Sequence, residues 1–385
     1  MACHPTEAIG KLVDRTISTQ EEGYGLPYHR TVSLLRTIGS PFVPNNNVMH
    51  MDYSEDIYMV AHENKIPLAY LDALVLSGKN QPPRYDHYIR RVWEKVHVIA
   101  EMSDLFTQNH IDYAILQLLE FQSNSQSNTD IGNLGVLLRD PDDIDIRIMG
   151  SAEEFRRAIR ILADAGYELS GSAPNQQIFN SSEGVVLDIK YENSVSHLIY
   201  VDKLKMDYYL ETISLPRGVE TKALNPEAHL LIILADAAIG KNQYKLADYY
   251  FTLHCMAQMD EQRVHEFVVL VNKNCLRDAA RWYLTLTLLL HTMAHQTMPD
   301  QIVQALSMTG TPCSKAYKTV ISREPPYPCG IKTLSKILSE KLRDGSFRRS
   351  LLRQIPRTLS PTFADRLLDR ARWLLGGDRT YRQPE

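Results

Sequence analysis

The chain has 385 residues, 44% of them apolar and 23% charged, with a formal net charge of −4. Such proportions fit a globular protein with room for two or three domains and a sizeable core, and the slight acidity excludes a protein that coats polyanions over its whole surface. Five scattered cysteines with no C-x-x-C pair exclude a disulfide framework and fit a reduced chain.

Residues 1–104 are expected to form a helical region. The segments "GYGLPYHR" and "GSPFVPNNNV" read as turns. In "EDIYMVAHENKIPLAYLDALVL" the residues Ile57, Val60, Ala61, Ile66, Leu68, Leu71 and Leu74 fall in helical rows, and Pro67 separates two helices. "YDHYIRRVWEKVHVIAEMSDLF" places Ile89, Val92, Trp93, Val96, Ile99 and Ala100 on one face.

Residues 105–205 change character and read as a small α+β core. "IDYAILQLLEF" is a buried strand or the end of one, and the polar "QSNSQSNTDIGN" after it is a loop. "SAEEFRRAIRILADAGYEL" is a helix with Ser151 and Glu154 as a capping box. Its apolar stripe is Phe155, Ala158, Ile159, Leu162 and Ala165, and Gly166 stops it. "QIFN" and "GVVLDIKY" form a hairpin through "SSEG".

Residues 206–385 return to helix. "NPEAHLLIILADAA" opens with an Asn cap and Pro in the first turn. The apolar run "WYLTLTLLLHTMA" is interrupted by threonines and is too short to span a membrane. The start "MACHPTEAIG" lacks the basic region and apolar core of a signal peptide, so a cytoplasmic protein is expected. From Ile331 onward there are 13 Lys and Arg against 6 Asp and Glu, either a surface for phosphate or nucleic acid or an ordinary solvated helix face. Two amphipathic helices are expected there, one with Leu351, Leu352 and Ile355 inward and one after Pro361. Arg348, Arg349, Arg353 and Arg357 would lie outward.

The sharpest chemical signal is "LLRDPDDIDIRIMG", residues 137–150. Strand side chains alternate faces, so Asp143, Asp145 and Arg147 share one face and Ile144, Ile146 and Ile148 the other. In "GVVLDIKY" the same alternation groups Val186, Asp188 and Lys190. If the two strands are neighbours, three carboxylates converge. They repel unless a cation sits between them, and magnesium is the usual partner of such hard oxygen ligands. Arg147 and Lys190 either meet phosphate or neutralise the aspartates. Asp142 reads as a turn residue after Pro141.

The order D-x-D strand, helix, apolar-D-apolar strand resembles the nucleotidyltransferase superfamily of the DNA polymerase β type. "DID" at 143–145 and "LDI" at 187–189 carry the likeness, and Arg139 occupies the place of an arginine that many members have four residues before the dyad. "MVAHENKIPLAYLDAL", "DIDIRIMGSAEEFRRAIRILADAGY" and "LNPEAHLLIILADAA" are similar to a bacterial and archaeal group of that superfamily with flanking helical regions. The likeness implies a small mixed-sheet core between helical regions. It also implies two magnesium ions held by Asp143, Asp145 and Asp188 as catalytic carboxylates. A nucleoside triphosphate would be the substrate, contacted by Arg139, Lys190, Lys241 and Lys245. A nucleoside monophosphate would pass to a small-molecule, protein or RNA hydroxyl, with Asp188 helping to remove its proton.

One departure stands out. The glycine pair expected about ten residues before the dyad, whose amides hold the triphosphate, is missing from "YAILQLLEF". Gly39–Ser40 lies too far upstream and Gly150–Ser151 comes after the dyad, which leaves Ser123, Ser125 or Gly132 as substitutes. A catalytically inactive binding or scaffold protein on the same core is therefore the alternative expectation. Lys241 and Lys245 fit a solvated helix face equally well. His291 and His295 have zinc-compatible spacing but lack the Glu of an H-E-x-x-H motif, so core or surface histidines are expected.

Overall fold

Helix starts are set by local chemistry, and the computed structural model shows several of them. It describes residues 7, 9–11, 26–43, 52–78, 81–116, 143–173, 175–195, 198–203, 206 and 209–358. Arg139, the loop at 122–133 with Ser123, Ser125 and Gly132, and the expected helix after Pro361 lie outside those residues.

The N-terminal helices are α1 (Leu26–Ile38), α2 (Glu55–Glu63), α3 (Pro67–Leu76) and α4 (Tyr85–Gln108). Ser54 caps α2 by accepting the amide of Ile57, and Pro67 opens α3 where its missing N–H costs nothing. The expected turn "GYGLPYHR" is corrected: Pro27 stands in the first turn of α1, where a helix tolerates it. In α4 the buried row is Tyr85, Tyr88, Val92, Val96, Ile99, Met102 and Phe106. Ile89, Trp93 and Ala100, expected on that face, are only half-buried at its margin.

The sheet follows: β1 (Tyr113–Ile115), β2 (Asp143–Ile148), helix α5 (Ala152–Asp164), then β3 (Glu168–Ala173), β4 (Gln176–Asn180) and β5 (Val186–Lys190). β6 (Asn193–Val195) and β7 (Leu198–Val201) form a separate ribbon, and β8 (Leu210–Leu215) and β9 (Val219–Leu224) return to the main sheet. Its seven strands run in the order β3-β4-β5-β2-β1-β9-β8. The pairs β2–β5 and β1–β9 are parallel and the others antiparallel. This is a mixed α+β architecture, and its sheet takes two strands from beyond residue 205. Strand β3 has no counterpart in the sequence reading. Its residues are mostly exposed, so it lacks the apolar alternation that marks a strand.

Helix α5 carries the full capping box. Ser151 accepts the amide of Glu154, and Glu154 accepts that of Ser151. Phe155, Ala158 and Leu162 are buried, Ile159 is half-buried, and Ala165, the last residue of the expected stripe, is exposed. Helix α4 packs on β9, α5 packs on β2, and the two helices touch. Ile144, Ile146, Ile148, Leu187 and Ile189 are at most 1% exposed, so this apolar side of β2 and β5 is core.

The second helical region comprises α6 (Pro226–Ala235), a π-type turn (Asp236–Gly240), β10 (Gln243–Tyr244), α7 (Leu246–Ala257), α8 (Glu261–Lys273), α9 (Arg277–His295), α10 (Asp300–Thr309), α11 (Ser314–Ser322), β11 (Tyr327–Pro328), α12 (Ile331–Lys341) and α13 (Gly345–Thr358). Helix α9 is its axis, packed against α1, α6, α8, α10, α11 and α12. No described helix is long and apolar enough to cross a membrane. Buried tyrosines meet hydroxyls: Tyr244 with Thr287 at 2.7 Å and Tyr283 with Thr252 at 3.0 Å. Tyr and Thr in these helices thus satisfy part of each other's buried hydrogen bonding, while the Tyr249 and Thr292 hydroxyls are buried without a partner. Arg36 of α1 donates to the carbonyl of Ala294, and Asn64 bonds both Pro325 and Leu246, tying the N-terminal helices to this region.

Helix α13 turns Phe347 and Ser350 inward and packs on β7. The expected inward pair is corrected: Leu351 and Leu352 are 38% and 63% exposed. Side-chain bonding decides this orientation. Ser350 accepts the amide of Ile199, and Ser346 donates to Asp202. The wholly buried ammonium of Lys341 joins Asp344 and the carbonyl of Asn274 just before the helix begins.

His229 is completely buried against Phe251, and burial pushes it down to about 3. A depressed histidine removes stability as pH falls, because the unfolded chain binds a proton below about 6.5 while the folded chain resists it. Replacing His229 by Gln should therefore flatten the dependence of unfolding free energy on pH between about 6 and 4, by about 1.4 kcal/mol per pH unit. Urea titrations of both proteins across that range measure it.

Candidate metal centre

The parallel register of β2 and β5 pairs Asp143 with Val186, Asp145 with Asp188 and Arg147 with Lys190. One carboxylate oxygen from each of Asp143, Asp145 and Asp188 lies within 4.8 Å of the other two. Asp143 is exposed, while the side chains of Asp145 and Asp188 are 15% and 12% exposed. The cluster therefore opens to solvent at Asp143 and closes toward Asp188. Among the described residues it is the one group of three acidic, His or Cys side chains close enough to share an ion.

Three cationic or polar groups hold it. The Lys190 ammonium lies 2.7 Å from Asp145 and 2.6 Å from Asp188. Gln176, opposite Lys190 in the β4–β5 register, donates to both oxygens of Asp188 at 2.9 Å. Arg147 is 1% exposed and donates to the carbonyl of Glu192. Burial pushes the Asp188 carboxyl up, with Lys190 and Gln176 opposing and Asp145 adding to the rise. Burial alone would push Lys190 down, but Asp145 and Asp188 outweigh it and hold the ammonium charged. Of the two readings of Arg147, its burial favours neutralisation over phosphate contact.

Tyr200 of β7 backs the site. It is 4% exposed, and its hydroxyl is raised first by burial, then by Asp236, against the pull of Arg147 and Lys190. Asp236 opens the π-type turn and pairs with Lys241 at 2.6 Å. Lys241 is held by that carboxylate, whose charge also acts on Tyr200. Lys245 stands just before α7. Its amide donates to Asp248, and the next residue, Leu246, bonds Asn64. Gly150–Ser151 offers no phosphate loop. The Ser151 amide is taken by Glu154, and the Gly150 carbonyl accepts from Lys203. A Cβ on Gly150 would fall 2.1 Å from Glu154 Oε2, so the glycine makes room for the cap.

His291 and His295 are a packing pair. Their rings are 4.9 Å apart, and His291 bonds Ser40 and the carbonyl of Thr297. Burial pushes His295 down to about 4. Gln176, Tyr200 and Asp236 escaped the sequence reading. Gln176 had a usable signal, because a residue opposite Lys190 in the hairpin is the diagonal neighbour of Asp188. Tyr200 and Asp236 come from separate elements and had none. No protein-family model matches the chain, and no curated protein matches it.

Lys190 stands where a cation would bridge Asp145 and Asp188. Lys190→Met should cost about 2–4 kcal/mol in metal-free buffer, since it removes the ammonium shared by two largely buried carboxylates. Millimolar magnesium or manganese should restore most of that loss while shifting the parent protein much less. Thermal melts of both proteins with chelator and with metal check the crossing.

Proposed function

We propose that the chain is a metal-dependent nucleotidyltransferase that moves a nucleoside monophosphate from a triphosphate to an acceptor hydroxyl and releases pyrophosphate. The observation that carries this reading is the convergence of Asp143, Asp145 and Asp188 from two adjacent parallel strands. The motif order read from the sequence supports it. All-oxygen donors suit magnesium, and the open side at Asp143 leaves room for a triphosphate. Bound there, magnesium supplies charge neutralisation at the phosphates. The protein's part is positional. Asp143, Asp145 and Asp188 hold the ions, Gln176 fixes the rotamer of Asp188, and Arg147 and Tyr200 close the floor against water. Lys190, beside the aspartates, would meet phosphate by exchanging a carboxylate partner, and Lys241 is the second candidate, now paired with Asp236.

One observation favours a second reading. Lys190 already neutralises Asp145 and Asp188, as expected of a core that has lost catalysis and serves as a binding or scaffold protein. Calorimetry with each nucleoside triphosphate and magnesium separates the two. Micromolar binding supports the enzyme, and no heat at millimolar nucleotide supports the scaffold.

Transfer of labelled nucleotide to a small-molecule, protein or RNA acceptor should fall about 100-fold or more in Asp143→Ala. The exposed position of Asp143 should leave stability within about 0.5 kcal/mol of the parent. Undiminished transfer in this variant would exclude the carboxylates from the reaction.

A further inference from the structure

A second concave site lies away from the aspartates, where α9, α11 and α12 come together. Its volume is about 150 Å³, and its walls include Arg281 and Trp282 from α9, Lys315 from α11, and Lys332 and Lys336 from α12. The acid that lines it, Asp278, is engaged with Arg281 at 2.9 Å. Among the described residues no carboxylate pairs with Lys315, Lys332 or Lys336. Three unpaired ammonium groups therefore share one hollow.

Their positions run against helix energetics. Lys315 and Lys332 stand in the first turns of α11 and α12, where the macrodipole is positive and acidic residues are preferred. Neither first turn contains an acid, and neither helix has a side-chain cap. Lys332 and Lys336 are four apart on α12, a like-charge pair that weakens a helix. The neighbouring α9 shows the ordinary solution, with Glu340 accepting the amides of Arg277 and Asp278 at its start. Local rules broken together at one concave place mark a site that a ligand completes.

We propose that this cavity binds the phosphate group of a small molecule. The cations supply charge, and the open first turns of α11 and α12 add backbone donors. The volume is below the roughly 300–1,000 Å³ of sites that enclose a whole drug-sized ligand, so the phosphate enters and the remainder stays outside. Helix α12 also packs against the π-type turn that carries Asp236, so occupancy bears on an element beside the aspartates. The proposal stands independently of the nucleotidyltransferase reading.

The test is calorimetry on the full chain carrying Asp143→Ala, with chelator present, so that metal-held phosphate at the aspartates does not contribute. Inorganic phosphate, pyrophosphate and adenosine monophosphate are titrated at low and high salt, about 20 mM and about 0.5 M. Binding of at least one, weakened at high salt and at least tenfold in Lys315→Gln/Lys332→Gln/Lys336→Gln, is the expected result. Which of the three binds best tells a free phosphate site from one for a phosphorylated metabolite. The three lysines are exposed, so the variant should fold, and without ligand it should melt at or above the parent temperature because helix-end repulsion is gone. Phosphate should raise the parent melting temperature and leave the variant's unchanged. No heat from any of the three at low salt, or binding equal in the variant, would overturn the proposal.

Discussion

Asp145 and Asp188 face each other across neighbouring parallel strands, and two carboxylates at that spacing cannot both stay ionised without a cation. The rest of the site answers that constraint. Lys190, one alternation further along β5, supplies the bridging charge. Gln176 on β4 ties down both oxygens of Asp188, and Arg147 lies buried beneath. Asp143, on the solvent side, gives the cluster its opening. A parallel pair needs a crossover, which α5 and the β3–β4 meander provide, and so the capping box at Ser151 is part of how the aspartates meet.

The helical regions hold this arrangement from behind. Tyr200 reaches the site because β7 is clamped by α13 through Ser346 and Ser350, and α13 in turn starts beside the buried Lys341–Asp344 pair. Lys241 is held close by Asp236 at the end of α6. Tyr200 thus lies within reach of the charges of Asp236 on one element and of Arg147, Lys190 and Asp145 on others. Removing any one redistributes the field felt by the others.

Elsewhere many polar groups are paired between elements. Tyrosine and threonine hydroxyls pair inside the helical core, Glu227 at the start of α6 takes Arg263, and Glu340 takes the start of α9. The lysines at the starts of α11 and α12 depart from that pattern, with ammonium groups rather than acids in the first turns.

The sequence by itself determined the features that depend on near neighbours. Alternation along β2 and β5 assigned Asp143, Asp145, Asp188 and Lys190 to common faces, and Ser151 with Glu154, Asn225 and Pro67 marked helix starts. Each rests on a period or a cap only a few residues long. Where such patterns are diluted the reading failed. Pro27 looked like a turn, exposed β3 had no apolar alternation, and Leu351 and Leu352 looked like an inward pair. The tertiary structure alone decided that β5 lies beside β2 in the register that sets Asp145 against Asp188. It alone brought Tyr200 and Asp236 to the site, buried Arg147 and gathered Lys315, Lys332 and Lys336 around one cavity. Those outcomes depend on contacts between segments tens of residues apart, chosen by the packing of whole elements, which no local spacing encodes.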